Sequence, residues 1–87
     1  MCRNIRPLFN YDPPATAEDA RDAALQFVRK VSGYTKPSQA NEEAFNRAVD
    51  SVTEAVERLL ADLVTTAPPR DRELEIERKR ARFAARA

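Results

Sequence analysis

The sequence predicts an all-α fold: an antiparallel two-helix hairpin with an extended N-terminal arm and a weaker third helix at the C-terminal end. Three observations carry this. Hydrophobic residues make up 43% and charged residues 33% of 87 positions, a balance that suits a small soluble helical protein rather than a disordered tail or a membrane span. Apolar residues recur at three- and four-residue spacing in two long stretches. Proline punctuates the rest, with Pro13-Pro14 and Pro68-Pro69 just ahead of helix-start signals and Pro37 at the one interior turn. The length allows a single domain over residues 1–87, divided into an arm (1–16), the hairpin (17–69) and a basic helical tail (70–87).

The first helix is predicted over residues 17–32. Thr16 is a good N-cap with Asp19 three residues on, a variant of the capping box, and Glu18 and Asp19 suit the positive end of the helix dipole. Ala20, Ala23, Ala24, Phe27, Val28 and Val31 share one face. Gly33 is the left-handed stop, with Tyr34 placed to fold back on the helix end.

The second helix is predicted over residues 39–64, capped by Ser38 or Asn41 and carrying Glu42 and Glu43 in its first turn. Phe45, Val49, Val52, Val56, Leu59 and Leu63 are spaced as in a coiled-coil seam, which Ala48, Ala55 and Leu60 widen into a bundle face. A joint of about six residues makes the two helices antiparallel neighbours. At 1.5 Å per residue the second outruns the first by about 15 Å. That overhang bears Val56, Leu59, Leu60, Leu63 and Val64, too apolar to leave in water. The N-terminal arm, with Ile5, Leu8, Phe9 and Tyr11, enters at the right end to cover it; a second copy of the chain is the alternative.

The third helix is predicted over residues 71–85, capped by Asp71 and supported by the Glu75–Lys79 pair. Leu74, Ala81, Ala84 and Ala85 form a thin stripe, and Ile76 and Phe83 lie seven apart on another, a pattern that supports a helix better than firm docking.

The inventory excludes several chemistries. With no His there is no His-ligated metal, no His-dependent triad and no imidazole acid–base catalysis. One Cys forms no internal disulfide, and one Gly rules out glycine-rich phosphate loops. The carboxylate groups at Glu42/Glu43, Glu54/Glu57/Asp62 and Glu73/Glu77 fall on outward helix positions rather than in a cleft, which reads as solvated faces rather than as a general acid–base pair. Net charge is +1, split between an acidic body (six bases against ten acids over residues 10–69) and a basic tail (seven against four over 70–87). No segment is apolar enough to span a membrane, and no apolar run follows Arg3 and Arg6 as in a secretory signal. The expected setting is therefore the cytoplasm, with a reduced thiol.

Three places could hold chemistry. Cys2, exposed by removal of Met1, would pair a thiol with an α-amine beside Arg3 and Arg6, a ligand for a soft metal or a redox handle. One cysteine cannot complete a zinc or iron–sulfur site, and the plainer account is a small residue near a terminus. Arg29, Lys30, Lys36 and Ser38 around the interior turn could hold a phosphate or carboxylate, although most helical hairpins carry such caps and last-turn bases. Arg78, Lys79, Arg80, Arg82 and Arg86 could neutralise RNA or DNA phosphates, and equally describe a solvated helix end; only Phe83 interleaves, so base stacking is not supported.

MCRNIRPLFN at the start, DPPAT before the first helix, RKVSGYTKPSQANEEAF across the turn and TTAPPRDRE after the second helix together resemble a family of short bacterial proteins termed a domain of unknown function. The resemblance spans nearly the whole chain. It implies a bacterial, cytoplasmic, stand-alone protein, and brings no activity, cofactor or partner with it. From the residues, the expected function is a non-enzymatic adaptor or accessory protein without a resident cofactor. It would meet a protein partner or a second copy through the seam Val56, Leu59, Leu60 and Leu63. The alternatives are thiol or metal chemistry at Cys2 and nucleic-acid contact by the tail.

Overall fold

A computed structural model describes residues 5–86. Its order is β1 (Tyr11–Asp12), α1 (Ala17–Ser32), a 3-10 turn (Gln39–Asn41), α2 (Glu42–Asp62), β2 (Arg70–Asp71) and α3 (Arg72–Arg86). Helix dominates, as the apolar spacing predicts, and a two-stranded parallel sheet adds what that spacing does not contain.

Local signals set the ends of α1. Thr16 Oγ1 accepts from Asp19 N at 3.1 Å while Asp19 Oδ2 accepts from Thr16 N at 2.9 Å, a reciprocal capping box. At the other end Gly33, at φ 79°, donates its N–H to Arg29 O at 2.9 Å, a left-handed conformation that a Cβ would strain.

The second helical segment departs from its expected bounds at both ends. Residues 39–41 wind as a 3-10 turn, and neither Ser38 nor Asn41 caps the helix with its side chain. Instead Asn41 Nδ2 donates to Ser38 Oγ at 2.9 Å within the turn. The helix stops at Asp62, because Leu63 takes extended backbone (φ −67°, ψ 138°) and starts the run toward Pro68. Leu63 and Val64 therefore lie outside α2.

The core is small and shared by α1 and α2. Ala24, Val28, Phe45 and Val49 bury together, with Leu25, Ala48 and Val52 packed against them. Ala20 is also buried; the alanines of α1 let the facing helix approach closely. The buried line of α2 runs Phe45, Val49, Thr53 rather than along the whole predicted seam. Thr53 sits inside by donating its hydroxyl to Val49 O at 2.6 Å, so its one polar group is satisfied within the helix. Val56 and Leu60 are half-buried, whereas Leu59 is 54% and Leu63 41% exposed.

The arm is not simply extended. Tyr11 and Asp12 pair in parallel with Arg70 and Asp71, so the chain ahead of α1 clasps the chain ahead of α3. Asn10, at φ 62°, makes the corner; Asn tolerates this left-handed region through its short polar side chain. Its Nδ2 donates to Pro68 O at 3.1 Å and its carbonyl accepts from Arg70 N at 2.8 Å. Leu8, Phe9, Tyr11 and Pro14 line a hollow with Leu60 and Ala61. The arm thus meets the overhang on its Leu60 side, leaving Leu59 and Leu63 about half exposed and Val64 bare at 92%.

Candidate interaction surfaces

Two surfaces stand out, a polar clasp where the arm meets α3 and an apolar groove along α1 and α2. In the clasp, Asp71 Oδ1 caps α3 by accepting from Leu74 N at 2.9 Å. That starts the helix with Arg72 aimed at α1, where its Nη1 lies 3.2 Å from Asp19 Oδ2; Arg6 Nη2 approaches the other carboxylate oxygen at 3.9 Å. Tyr11 donates its hydroxyl to Glu75 Oε2 at 2.6 Å, and the Arg70 guanidinium lies 4.3 Å from its ring centroid. Asp19 titrates below the ordinary aspartate value, chiefly because the Thr16 N–H bonds its charged form, with Arg72 adding to the effect against the cost of burial. Tyr11 titrates above the ordinary phenol value, first because its proton is held in the bond to Glu75.

A small hollow of about 130 Å³ lies between Arg6, Pro7 and Tyr11 of the arm and Arg72, Glu75 and Lys79 of α3. Arg72 Nη2 is buried there without a hydrogen-bond partner among the described residues, while its Nη1 binds Asp19. The cluster positions α3. Its acids and bases largely satisfy one another, which is the chemistry of a joint.

The groove is different in kind. Phe27, Val28 and Val31 of α1 face Ala44, Phe45, Ala48 and Val52 across a cavity of about 350 Å³, with Tyr34 closing one end. The small side chains at 44 and 48 make the space. From Val52 the apolar strip continues along α2 through Ala55 and Val56 to Leu59. Phe27 is 48% and Val31 70% exposed, although both lie on the apolar face of α1. Tyr34 has turned to this mouth, where its hydroxyl accepts from Asn41 Nδ2 at 3.4 Å.

Other sequence-predicted positions fall elsewhere. Cys2 lies outside the described residues. Around the turn, Arg29 donates through Nε to Thr35 O at 3.0 Å and Ser38 is bonded to Asn41, so two of the four anion candidates are occupied in shaping the turn. Lys30 and Lys36 are exposed. On α3, Arg78, Lys79, Arg80 and Arg82 are exposed along a helix that does not pack along α1 or α2; the Arg86 side chain lies outside the described set. Among the described residues no three metal-ligating side chains gather, and no helix is long and apolar enough to cross a membrane.

Asp19, Arg72, Tyr11 and Glu75 escaped sequence reasoning as a group, because their partners stand 53 to 64 positions apart and the spacing leaves no periodic trace. The groove was half visible. Ala48 and Ala55 widen the predicted seam and Leu59 belongs to it, but Ala44 goes unread, and no spacing says that small side chains at 44 and 48 open a hollow beside Phe27 and Val31.

Among known families, the model described as uncharacterized conserved protein (DUF2277) matches residues 1–78. Neither a curated protein nor a solved structure matches the chain.

Proposed function

We infer the function of a chain that belongs to the DUF2277 family of uncharacterized conserved proteins, and so inherits no activity from it, from its surfaces: it is a non-enzymatic interaction protein. Its binding element is the pair α1 and α2, arranged as an antiparallel hairpin and closing its apolar groove on an amphipathic helix. The hairpin reading is supported at both ends, by Arg21 Nη1 at 2.9 Å from Asp50 Oδ1 and by Tyr34 beside Asn41. The observation that carries the function is the groove, an apolar cavity of about 350 Å³ between two helices with Val31 70% exposed at its lip. Two helices side by side leave a furrow whose complement is a third apolar helix face, at an interaxial distance of about 8–10 Å. The setting proposed is the bacterial cytoplasm.

Site-specific cross-linking tests this. A photoactivatable phenylalanine analogue at Val31 or Ala48, in the cells that make the protein, should join it to one defined polypeptide segment with helical apolar spacing. The same analogue at Glu57, on the outer side of α2, should join it to nothing defined. Equal yields from all three positions, or none from the groove, would reject the reading.

A further inference from the structure

We propose that α3 is a docking surface for double-stranded DNA, entering the major groove with one face turned to the sugar–phosphate backbone. This task is separate from that of the groove between α1 and α2 and does not depend on it. The first support is exposure. α3 is held at its start, by the Asp71 cap, the Arg72–Asp19 pair and the Tyr11–Glu75 bond. From Ile76 to Ala85 every residue is exposed, so about 15 Å of helix projects with side chains open to solvent all round its axis. A helix that short is marginal on its own in water and draws its stability from what it packs against. The projecting turns do not pack along α1 or α2.

The second support is the way charge divides across the helix. Arg78, Lys79 and Arg82, with Arg86 at the same register, fall within about 100° of arc at 3.6 residues per turn. Glu73 and Glu77 fall on the opposite side, and no acid follows Glu77. Glu75, the one acid inside the basic arc, is engaged by the Tyr11 hydroxyl. The stripe begins beside a further base, since Lys79 lines the same hollow as Arg6 of the arm. Like charges four residues apart, as at Arg78 and Arg82, oppose helix formation until an anion neutralises them. The body has the other sign, six bases against ten acids over residues 10–69, so a polyanion is steered to α3 and away from the hairpin.

Shape selects among polyanions. A lipid surface takes a helix with a single apolar face, whereas here Ile76 and Phe83 lie on one side and Leu74, Ala81 and Ala85 on the other. A single strand is held by stacking on aromatic side chains, and α3 offers Phe83 alone. Duplex RNA has a major groove too deep and narrow for side chains to read. The major groove of B-form DNA, about 12 Å wide, admits a helix of about 10–12 Å diameter. Ala81, Ala84 and Ala85 keep the projecting turns slim enough to enter it.

Fluorescence anisotropy of the full chain with a labelled B-form duplex of about two turns tests this. Binding should weaken with salt at a log–log slope of roughly −3 to −4, about −0.9 for each of three or four phosphates. Arg78→Gln/Arg82→Gln keeps helix propensity and should lower the affinity about tenfold or more. Lys30→Gln/Lys36→Gln removes the same charge from exposed positions around the interior turn and should change it by less than about twofold. Far-UV circular dichroism should show wild-type helicity in both double variants. A duplex RNA of the same sequence should bind about tenfold more weakly, and phosphatidylglycerol vesicles more weakly than the DNA. Absence of binding to DNA at low salt overturns the inference, as does an equal loss in the two double variants. Equal or tighter binding to the RNA duplex or to the vesicles overturns it too. Cross-linking through Val31 reads a different surface, so failure here leaves the groove reading standing.

Discussion

Asp19 joins three parts of the chain through one carboxylate. It closes the capping box with Thr16, pairs with Arg72 at the start of α3 and draws Arg6 of the arm to 3.9 Å. Replacing it with Asn keeps the shape and removes the charge, and should cost about 1–2 kcal/mol in urea unfolding. Its depressed pKa gives a direction with pH. The unfolded chain takes up the proton first as pH falls, so the contribution is full above about pH 4, the unfolded value, and is lost as pH drops through the lower folded value. Unfolding midpoints measured from pH 6 to pH 2 should therefore fall less steeply in Asp19→Asn than in the wild type. Gly33 offers a second check. A Cβ there meets nothing within 4 Å, so Gly33→Ala is opposed by the φ of 79° alone and should cost about 1–2 kcal/mol. Glu54→Ala, on an exposed outer position, should leave the stability of the single chain within about 0.5 kcal/mol of wild type.

At the scale of elements, α1 and α2 are stabilised by a core so small that single methyl groups count. Val49 is 2% exposed, and Val49→Ala should destabilise by about 2 kcal/mol, whereas Val64→Ala at a 92% exposed position should be silent in the same titration. What was legible in the sequence divides along the same line. Thr16 with Asp19, Gly33 and Asp71 act within a few residues of themselves, and each does in the structure what its local chemistry predicts. The seam was legible as far as Val52, which packs against the core. Beyond it the buried line passes through Thr53, a residue that apolar counting skips because its hydroxyl is satisfied by its own helix. Leu59 and Leu63 read as core because a period says that residues share a face, while only the path of the arm decides which side of the helix is covered. β1 and β2 were illegible, being two residues each and paired across the entire length of α1 and α2.

The molecule is a plate of 44 × 38 × 18 Å, and a plate that stacks on a second copy has a thermodynamic signature. If the uncovered face of α2 closes on a second copy, folding and association are linked, and the thermal midpoint should rise measurably with each tenfold increase in protein concentration. A midpoint independent of concentration would speak for a chain that is complete alone. The tail separates from this question. Removing residues beyond Glu77 retains the Tyr11–Glu75 bond and the Arg72–Asp19 pair, so the truncated chain should melt within a few degrees of the full one. The salt-sensitive affinity for duplex DNA should vanish with the same truncation.

The clasp between residues 10–12 and 70–71 also dictates an order of events. α1 and α2 are neighbours in sequence and close on each other through a short turn, a step of low contact order that proceeds quickly. The clasp cannot form until both ends of that unit have been brought together, because closing a loop of about sixty residues is entropically expensive before there is a folded body to shorten it. α3 is anchored to the rest through that clasp, so its seating on Tyr11 and Asp19 is the final event of folding. In a pulse-labelling experiment the amides of α3 should gain protection after those of α2, and the bond from Tyr11 to Glu75 would mark the moment at which the chain is finished.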